Sequence, residues 1–519
     1  MVKRIFVYYP NTVLFLISGL LLFTFIGFSP IYILDEAVHA EAAREMFVRG
    51  DYILPYFNSE LFIDKPPFMY YFMMISYYIF GFTAFSARFF SAVCGVILII
   101  VTYNYVTKFI NRRIALNTIF ILLSSFWFMT EFQISVPDPY LITITTCLLF
   151  FFYDYYLNRK KLNLFLFYFL IGLSNLTKGP SGVILPLIIC FIFILRNHGI
   201  KEILKNYSPL IGLLIILLTS APWYISAHIL TDGTWTEGFF LKHNFDRFSN
   251  PMEGHGGPFY LTFLYILLGL FPFSFFIPQA IIMRFKAGST KNFYHFSLII
   301  FITYLLFFSI SSTKLPNYTM PSYVFLAVLI AKIIVEDNMK NLKLFSITLI
   351  SLVIGLIPFL FNYFLKTSEN LSSLTFLSYF LFLPAFISFI ALVLFFLKKK
   401  SWYFFTGLST IVLFVLLHSY IFPQLNKNNP VSYINSKYEN VDFVVYKRMD
   451  PAFPFNNKKT YKIFNDELNL ITYLKLNPDT YVMTNIRNTK EIDSLEELKI
   501  VDLKKSLFEY HFTKIYKLK

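Results

Sequence analysis

Apolar runs long enough to cross a bilayer recur thirteen times along this 519-residue chain, and they leave it few folds to choose from. Hydrocarbon about 30 Å thick is spanned by roughly 20 helical residues. The runs cover approximately 11–29, 85–107, 115–131, 138–157, 162–176, 180–196, 208–228, 259–283, 294–311, 317–335, 343–364, 373–397 and 402–422. In lipid every backbone N–H and C=O needs an internal partner, and a helix supplies one along its own length. Composition agrees: 56% of residues are hydrophobic and 14% charged, where a soluble domain carries about 25% charge. The expectation is an all-α polytopic membrane protein with about thirteen transmembrane helices. "MVKRIF" and the apolar run after it have the layout of a signal peptide. No small-residue cleavage site follows, so this helix is expected to be retained. The shorter run "FMYYFMMISYYIF" (68–80) is assigned to a loop region, 30–84, lying at or dipping into the interface.

Charge then orients the chain. With Lys3 and Arg4 inside, the inside connections carry Lys108, Arg112 and Arg113; Arg159, Lys160 and Lys161; Arg196, Lys201 and Lys205; Arg284, Lys286 and Lys291; Lys340 and Lys343; and Lys398, Lys399 and Lys400. The short outside connections hold Lys178, Lys314 or Lys366 alone, or none, as in 132–137. Lys/Arg bias of this kind puts the N-terminus in the cytoplasm. Thirteen spans then put the C-terminus outside. From about Asn426 charged residues become frequent, and strand-like runs appear at 441–449 and 480–486, followed by helix-like "SLEELKIVDLKKSL" (494–507). Residues 1–423 are therefore expected to form the membrane domain and 424–519 a small periplasmic α/β domain on a bacterial inner membrane.

Several function classes become less favoured, with a lipid-linked-sugar transporter or flippase kept as the non-enzyme alternative. The net charge of +15 sits in short clusters between apolar runs, which suits topology signals and anionic headgroups rather than nucleic acid. Cys94, Cys147 and Cys190 lie inside apolar runs without metal-ligand spacing. A transporter or flippase of lipid-linked sugars should place ionisable groups in mid-span. Here only His418 and Lys332 do so mildly, and no inverted repeat is visible.

What remains is a set of ionisable groups at one edge of the bilayer, each beside Pro or Gly. "LDEAVHAEAAREM" (34–46) is expected to form a surface helix over 36–48 that stops at Gly50. In it Val38, Ala42 and Met46 would face the membrane, and Glu41, Arg44 and Glu45 water. Asp35 suits its N-cap, and Asp138, between two prolines, suits the cap of the next span. Lys65 precedes Pro66 and Pro67 in "FIDKPPFMYY"; Lys178 lies in "NLTKGPSG" and Lys314 in "SSTKLPNYTMP". Arg247 and His255 occupy the long connection 242–260. For single members the bland readings are caps, snorkelling lysines and an Asp246–Arg247 pair. Together, lysines and arginine at a membrane edge suit a lipid-borne phosphate, and carboxylates suit a general base or sugar hydrogen bonds. That combination points to glycosyl transfer. Asp35, Asp138 and His255 also form a possible ligand set for a divalent metal, although nothing in the sequence requires a cofactor.

"DEAVHAEAAREMFVRGDYILPYFNSELFIDKPPFMYYF", "LTKGP", "KHNFDRF", "HGGPFY" and "STKLPNYTMPSY" resemble, in order, motifs of the multispanning GT-C glycosyltransferases that use polyprenyl-phosphate sugars. The likeness is greatest to the bacterial aminoarabinose–lipid A transferases within the protein-mannosyltransferase superfamily, and it runs through most of the membrane part. The resemblance implies Asp35 as the acid at the reacting centre and Asp138 as a second loop acid. It implies that Lys65 holds the lipid phosphate, with Arg247, Lys178 and His255 as further contacts. Lys314 and Tyr318 would close the cavity, and Glu36 and His39 would line it. It also implies an inverting transfer to lipid A, a related glycolipid or, as in protein O-mannosyltransferases, a protein. The opening motif departs from the aminoarabinose pattern Asp-Glu-Thr-Arg-Tyr by reading Asp35-Glu36-Ala37-Val38-His39. The sugar and its acceptor are left open by that departure.

Overall fold

The computed structural model describes residues 8–246, 256–282, 290–336, 340–368, 371–439, 441–487, 489–507 and 512–519. Arg247 and His255 lie outside the described residues. A helical bundle carries a small mixed sheet at one end. Among the described residues eight helices are long and apolar enough to cross a membrane, and a pair bent by 117° at Leu261–Gly269 and Phe273–Ile282 makes up to nine. Shorter apolar helices account for further expected runs: Pro10–Phe23 (α1) in place of 11–29 and Met320–Val335 in place of 317–335. Thirteen full-length spans are therefore not what helix length and composition give. Breaks are the reason, as in 115–131, which divides into two helices around Ser125.

The elements that build the site follow α1 in order: α2 (Leu34–Arg49), α3 (Phe68–Phe80), α4 (Ala84–Phe109), α5 (Arg112–Ser124), α6 (Phe126–Glu131), α7 (Asp138–Asn158), α8 (Lys161–Lys178) and α9 (Ser181–His198). A two-residue hairpin, β1 (Tyr56–Phe57) with β2 (Glu60–Leu61), joins α2 to α3. At thirteen residues, α3 rises about 20 Å, short of the hydrocarbon thickness. At the bundle end away from Asp35, Lys108 of α4 donates at 2.7 and 2.8 Å to both oxygens of Asp154, and Arg159 pairs with Glu202.

Helix α2 corrects the expected surface helix. It starts at Leu34 with Ile33 as its cap residue and no side-chain cap, so Asp35 sits inside the first turn. Gly50 does stop it, at φ +68°, with its N–H on the carbonyls of Met46 and Phe47. Glu41, Arg44 and Glu45 are buried instead of facing water. Four alanines (Ala37, Ala40, Ala42 and Ala43) keep the helix slim enough to be enclosed by Met69, Met73 and Tyr77 of α3 and by Ala452 and Phe453 of the C-terminal region. Burying charges this way requires partners: Arg44 donates to both oxygens of Glu41 at 2.7 and 2.6 Å. Burial still pushes the Glu41 carboxyl up to about 7, against the pull of Arg44.

The C-terminal sheet runs in the order β4-β3-β5-β7-β6, formed by β3 (Phe443–Tyr446), β4 (Ile463–Phe464), β5 (Tyr481–Thr484), β6 (Leu498–Lys505) and β7 (Phe512–Leu518). β3 is parallel to β4 and β5, and β7 is antiparallel to β5 and β6. The strands expected near 441–449 and 480–486 are present. The helix expected over 494–507 is instead mostly strand β6, because a long ladder with β7, with a bulge at Ile500/Asp502, outweighs the helical spacing of its leucines. Asn58 locks the sheet region onto the hairpin: its amide donates to the Tyr461 carbonyl at 2.9 Å and accepts from the Tyr461 N–H at 2.7 Å. The hydroxyls of Tyr32 and Ser506 lie 2.5 Å apart.

Candidate functional site

Chain geometry alone brings the candidate groups to one end of the bundle. Pro66 and Pro67 stop the hairpin loop and start α3, fixing the backbone beside Lys65. Asp138 opens α7, Lys178 occupies the last turn of α8 before Gly179-Pro180, and the segment 311–319 follows the helix Lys291–Ile310. A cavity of about 340 Å³ opens between them. Lys65, Lys178 and His243 line it together with Ser181, Ser311 and Tyr318. The rest of its wall is apolar and includes Leu141, Leu185, Phe239, Tyr304 and Phe308.

Lys65 donates at 2.6 Å to Asp64, a residue the sequence reading passed over. Two imidazoles flank the same carboxylate, His39 at 3.7 Å and His243 at 3.5 Å. Burial pushes Asp64 up, but Lys65 and then His39 overrule it and hold the carboxyl below its ordinary range. Lys65 is thus held in place by a fixed anion. His39 shares a 2.9 Å hydrogen bond with the Tyr70 hydroxyl and is 3% exposed. Burial lowers it from 6.5 to about 4, with Asp64 resisting. The native ring is therefore neutral and binds fewer protons than the unfolded chain, so its contribution to stability is complete above pH 6.5 and is lost as pH falls toward 4. We expect the thermal midpoint in detergent to drop over that window, and His39→Gln to flatten the drop; an unchanged pH dependence would remove His39 from this account.

Asp138 does not cap α7. Its carboxylate takes the Lys178 ammonium at 2.5 Å, and Lys178 lies 4.9 Å from the Tyr318 ring centroid. Lys178 therefore turns inward instead of snorkelling. Lys314 also turns inward: it is 5% exposed and donates at 2.6 Å to the carbonyl of Ser311, behind the cavity wall. Glu36 is not among the cavity-lining residues. It is fully buried and takes Arg88 through both oxygens at 2.6 and 2.7 Å, and it also accepts from the Ser135 N–H at 2.9 Å. The Asp35 side chain, next along the chain, is exposed and makes no hydrogen bond or ion pair among the described residues. Its charge is felt by both His39 and Glu131.

Lys65, Lys178 and Tyr318 thus share one cavity, with Asp138 as the direct partner of Lys178 and His39 one step removed, flanking the Asp64 that holds Lys65. Asp64, Glu131, His243 and Arg88 were not singled out from the sequence. Asp64 and His243 each sit next to or within a motif already chosen, so adjacency was the available signal. Of the metal set Asp35, Asp138 and His255, the last lies outside the described residues. Among the described residues no group of three His, Cys, Asp or Glu side chains is placed to hold a metal. The cavity can therefore hold an anion against two lysines, with an apolar wall beside it and a free carboxylate nearby.

Residues 64–225 match the family of dolichyl-phosphate-mannose-protein mannosyltransferases. An uncharacterized protein of Aquifex aeolicus is 27% identical over 92% of this chain and 88% of its own length. The undecaprenyl phosphate-α-4-amino-4-deoxy-L-arabinose arabinosyl transferase of Photorhabdus laumondii is 31% identical over 60% of this chain, an alignment that spans 56% of that relative. The crystal structure of ArnT from Cupriavidus metallidurans bound to undecaprenyl phosphate superposes with a TM-score of 0.79 at 18% identity, covering 98% of both chains.

Proposed function

We propose, from the premise that this chain is a GT-C-type protein of the ArnT and protein-mannosyltransferase superfamily, that it moves a sugar from a polyprenyl-phosphate donor to a cell-envelope glycolipid. The observation that carries this reading is the convergence of Lys65 and Lys178 on one cavity with an apolar wall. A phosphate ester on a long isoprenoid needs both features, cations for its head and hydrocarbon for its tail. The ArnT relative of the same fold holds undecaprenyl phosphate, which makes undecaprenyl the leading carrier, and the arabinosyl transferase relatives support lipid A or a related glycolipid as acceptor.

The chemistry is a single inverting displacement. An acceptor oxygen forms its bond to the anomeric carbon as the bond from that carbon to the phosphate oxygen breaks, and the electron pair leaves with the phosphate. Lys65 and Lys178 stabilise that charge where it develops, and Arg247 joins them by resemblance. Asp35 takes the proton of a hydroxyl acceptor; for an acceptor phosphate, already anionic, it orients the partners. We place residues 1–423 in a bacterial inner membrane as the transferase domain, with 424–519 on the periplasmic side. The Lys/Arg bias of the loops supports that placement.

Lys65→Ala is expected to weaken undecaprenyl phosphate binding about 10- to 100-fold, the loss of one charge-assisted hydrogen bond. Binding to purified protein in nanodiscs measures it, and an unchanged Kd would remove Lys65 from the phosphate site. For the function itself, mass spectrometry of envelope lipids from a deletion strain should reveal a glycolipid short of one sugar. An unaltered envelope would count against the reading.

A further inference from the structure

Lys65 and Asp64 are chain neighbours, so their ion pair ties the ammonium to its own loop. The backbone of that loop is held from elsewhere. The Phe62 N–H donates to the Pro55 carbonyl at 2.9 Å, and the Phe62 carbonyl accepts from the indole N–H of Trp235 at 3.1 Å. Trp235 lies in the short helix Thr234–Glu237 and is fully buried, and a buried indole N–H needs such an acceptor. Its ring stacks on Phe239 of the cavity wall at 4.8 Å between centroids and meets Trp223 edge-on at 4.7 Å. Trp223 donates to the Ile53 carbonyl at 3.0 Å. The hydroxyl of its neighbour Tyr224 donates at 3.0 Å to the carbonyl of Asn175, on the last turns of α8. Leu54, Ile63 and Leu176 pack around these rings. Gly238, directly after the Trp235 helix, has helical dihedrals of φ −59° and ψ −42°, which alanine accepts readily. A methyl group there would stand 2.8 Å from Cγ2 of Ile63. The seam between the Lys65 loop and the Trp235 segment has no room for one more carbon.

We propose that Trp235 is a positioning residue: through the Phe62 carbonyl it sets Lys65 at the separation from Lys178 that lets both ammonium groups reach one donor phosphate. The aromatic group bridges two backbone points, Phe62 through Trp235 and Asn175 through Tyr224. Phe62 precedes Lys65 by the same short stretch as Asn175 precedes Lys178. Lys178 has the body of α8 beneath it, whereas Lys65 stands on a loop between a two-residue hairpin and Pro66. Lys65 is therefore the lysine that depends on the bridge. Phenylalanine at 235 keeps a ring against Trp223 and Phe239 and removes the one donor an indole has. The loss falls on recognition of the charged head and spares the apolar wall. The proposal rests on the polyprenyl-phosphate reading of the cavity.

Binding to the full-length protein in nanodiscs tests it, with undecaprenyl phosphate and the uncharged alcohol undecaprenol as the two probes. Trp235→Phe is expected to raise Kd for the phosphate about tenfold, the scale of one lost hydrogen bond, and to leave Kd for the alcohol within about twofold. In a Lys65→Ala background the same substitution should change the phosphate Kd less than about twofold, because its effect passes through Lys65. Gly238→Ala should also raise the phosphate Kd about tenfold, and Ile63→Ala/Gly238→Ala should bring it back to within about threefold of wild type, since the second change makes the missing room. Equal losses for both probes, an undiminished Trp235→Phe effect without Lys65, or a Trp235→Phe protein within about twofold of wild type would each overturn the proposal. Should Trp235→Phe fail to fold, Gly238→Ala with and without Ile63→Ala carries the comparison, and a double variant no better than Gly238→Ala overturns it. If wild type binds the phosphate no better than the alcohol, the cavity reading itself fails, a result distinct from a wild type that prefers the phosphate with variants that do not differ.

Discussion

Asp35→Asn is expected to slow sugar transfer by about 10²–10⁴-fold, the range for loss of a positioned proton acceptor, while undecaprenyl phosphate binds within about twofold of wild type. The reason lies in how the neighbouring acids are committed. Asp64 is held by Lys65, Asp138 by Lys178, Glu36 by Arg88 and Glu41 by Arg44. A carboxylate engaged with a cation has its lone pairs directed at that cation and not at an acceptor. Asp35 is exposed and carries no such partner among the described residues. It is nonetheless held rigidly, because Glu36 beside it is fully buried. Asn keeps size and shape and removes only the basicity, so the binding readout separates chemistry from misfolding. Transfer measured in proteoliposomes at more than a tenth of the wild-type rate would take Asp35 out of the reaction.

How far the sequence foretells this site depends on whether a residue's role needs its partner to be known. Lys65 and Lys178 could be chosen because each stands beside proline or glycine at the edge of an apolar run, and such edges must lie at the membrane surface, whereas Tyr318 was chosen only through the family resemblance. Glu36 could not be told from Asp35, because the difference is Arg88, which is fifty-two positions away and reaches Glu36 only once α2 has docked on α4. Helix α2 was read as half wet because its charges alternate with alanines. Its apparent water face is in fact covered by Phe453 and Tyr461, about four hundred residues later. The 494–507 segment failed for a related reason: "LKIVDLKK" satisfies helical and strand spacing almost equally, and only the β7 ladder decides. The strands near 443 and 481 lacked that ambiguity, since "FVVY" and "YVMT" are rich in β-branched and aromatic residues.

Arg88→Ala is expected to destabilise the protein by about 3–5 kcal/mol, the usual consequence of stripping one partner from a buried ion pair. Arg88 is 6% exposed and does more than neutralise Glu36. Its guanidinium also donates to the carbonyls of Ile26 and Ser29, both at 2.8 Å, and of Pro30 at 3.3 Å. Glu36 in turn takes the N–H of Ser135, three residues before Asp138. One side chain therefore joins the segment leaving α1, the first turn of α2 with Asp35, and the approach to Asp138. Its loss leaves a fully buried carboxylate without its cation and three carbonyls without their donor, and it also loosens the segments that carry Asp35 and Asp138. Thermal unfolding in detergent should show the loss of stability. Transfer assayed well below the new midpoint should still be reduced, because Asp35 and Asp138 no longer share a fixed frame. Glu36→Gln/Arg88→Gln should cost less than Arg88→Ala alone, since no buried charge remains and the amides still hydrogen-bond. If Arg88→Ala unfolds within about 1 kcal/mol of wild type, the pair is not the clamp, and the rigidity of Asp35 must come from the alanine packing of α2 instead.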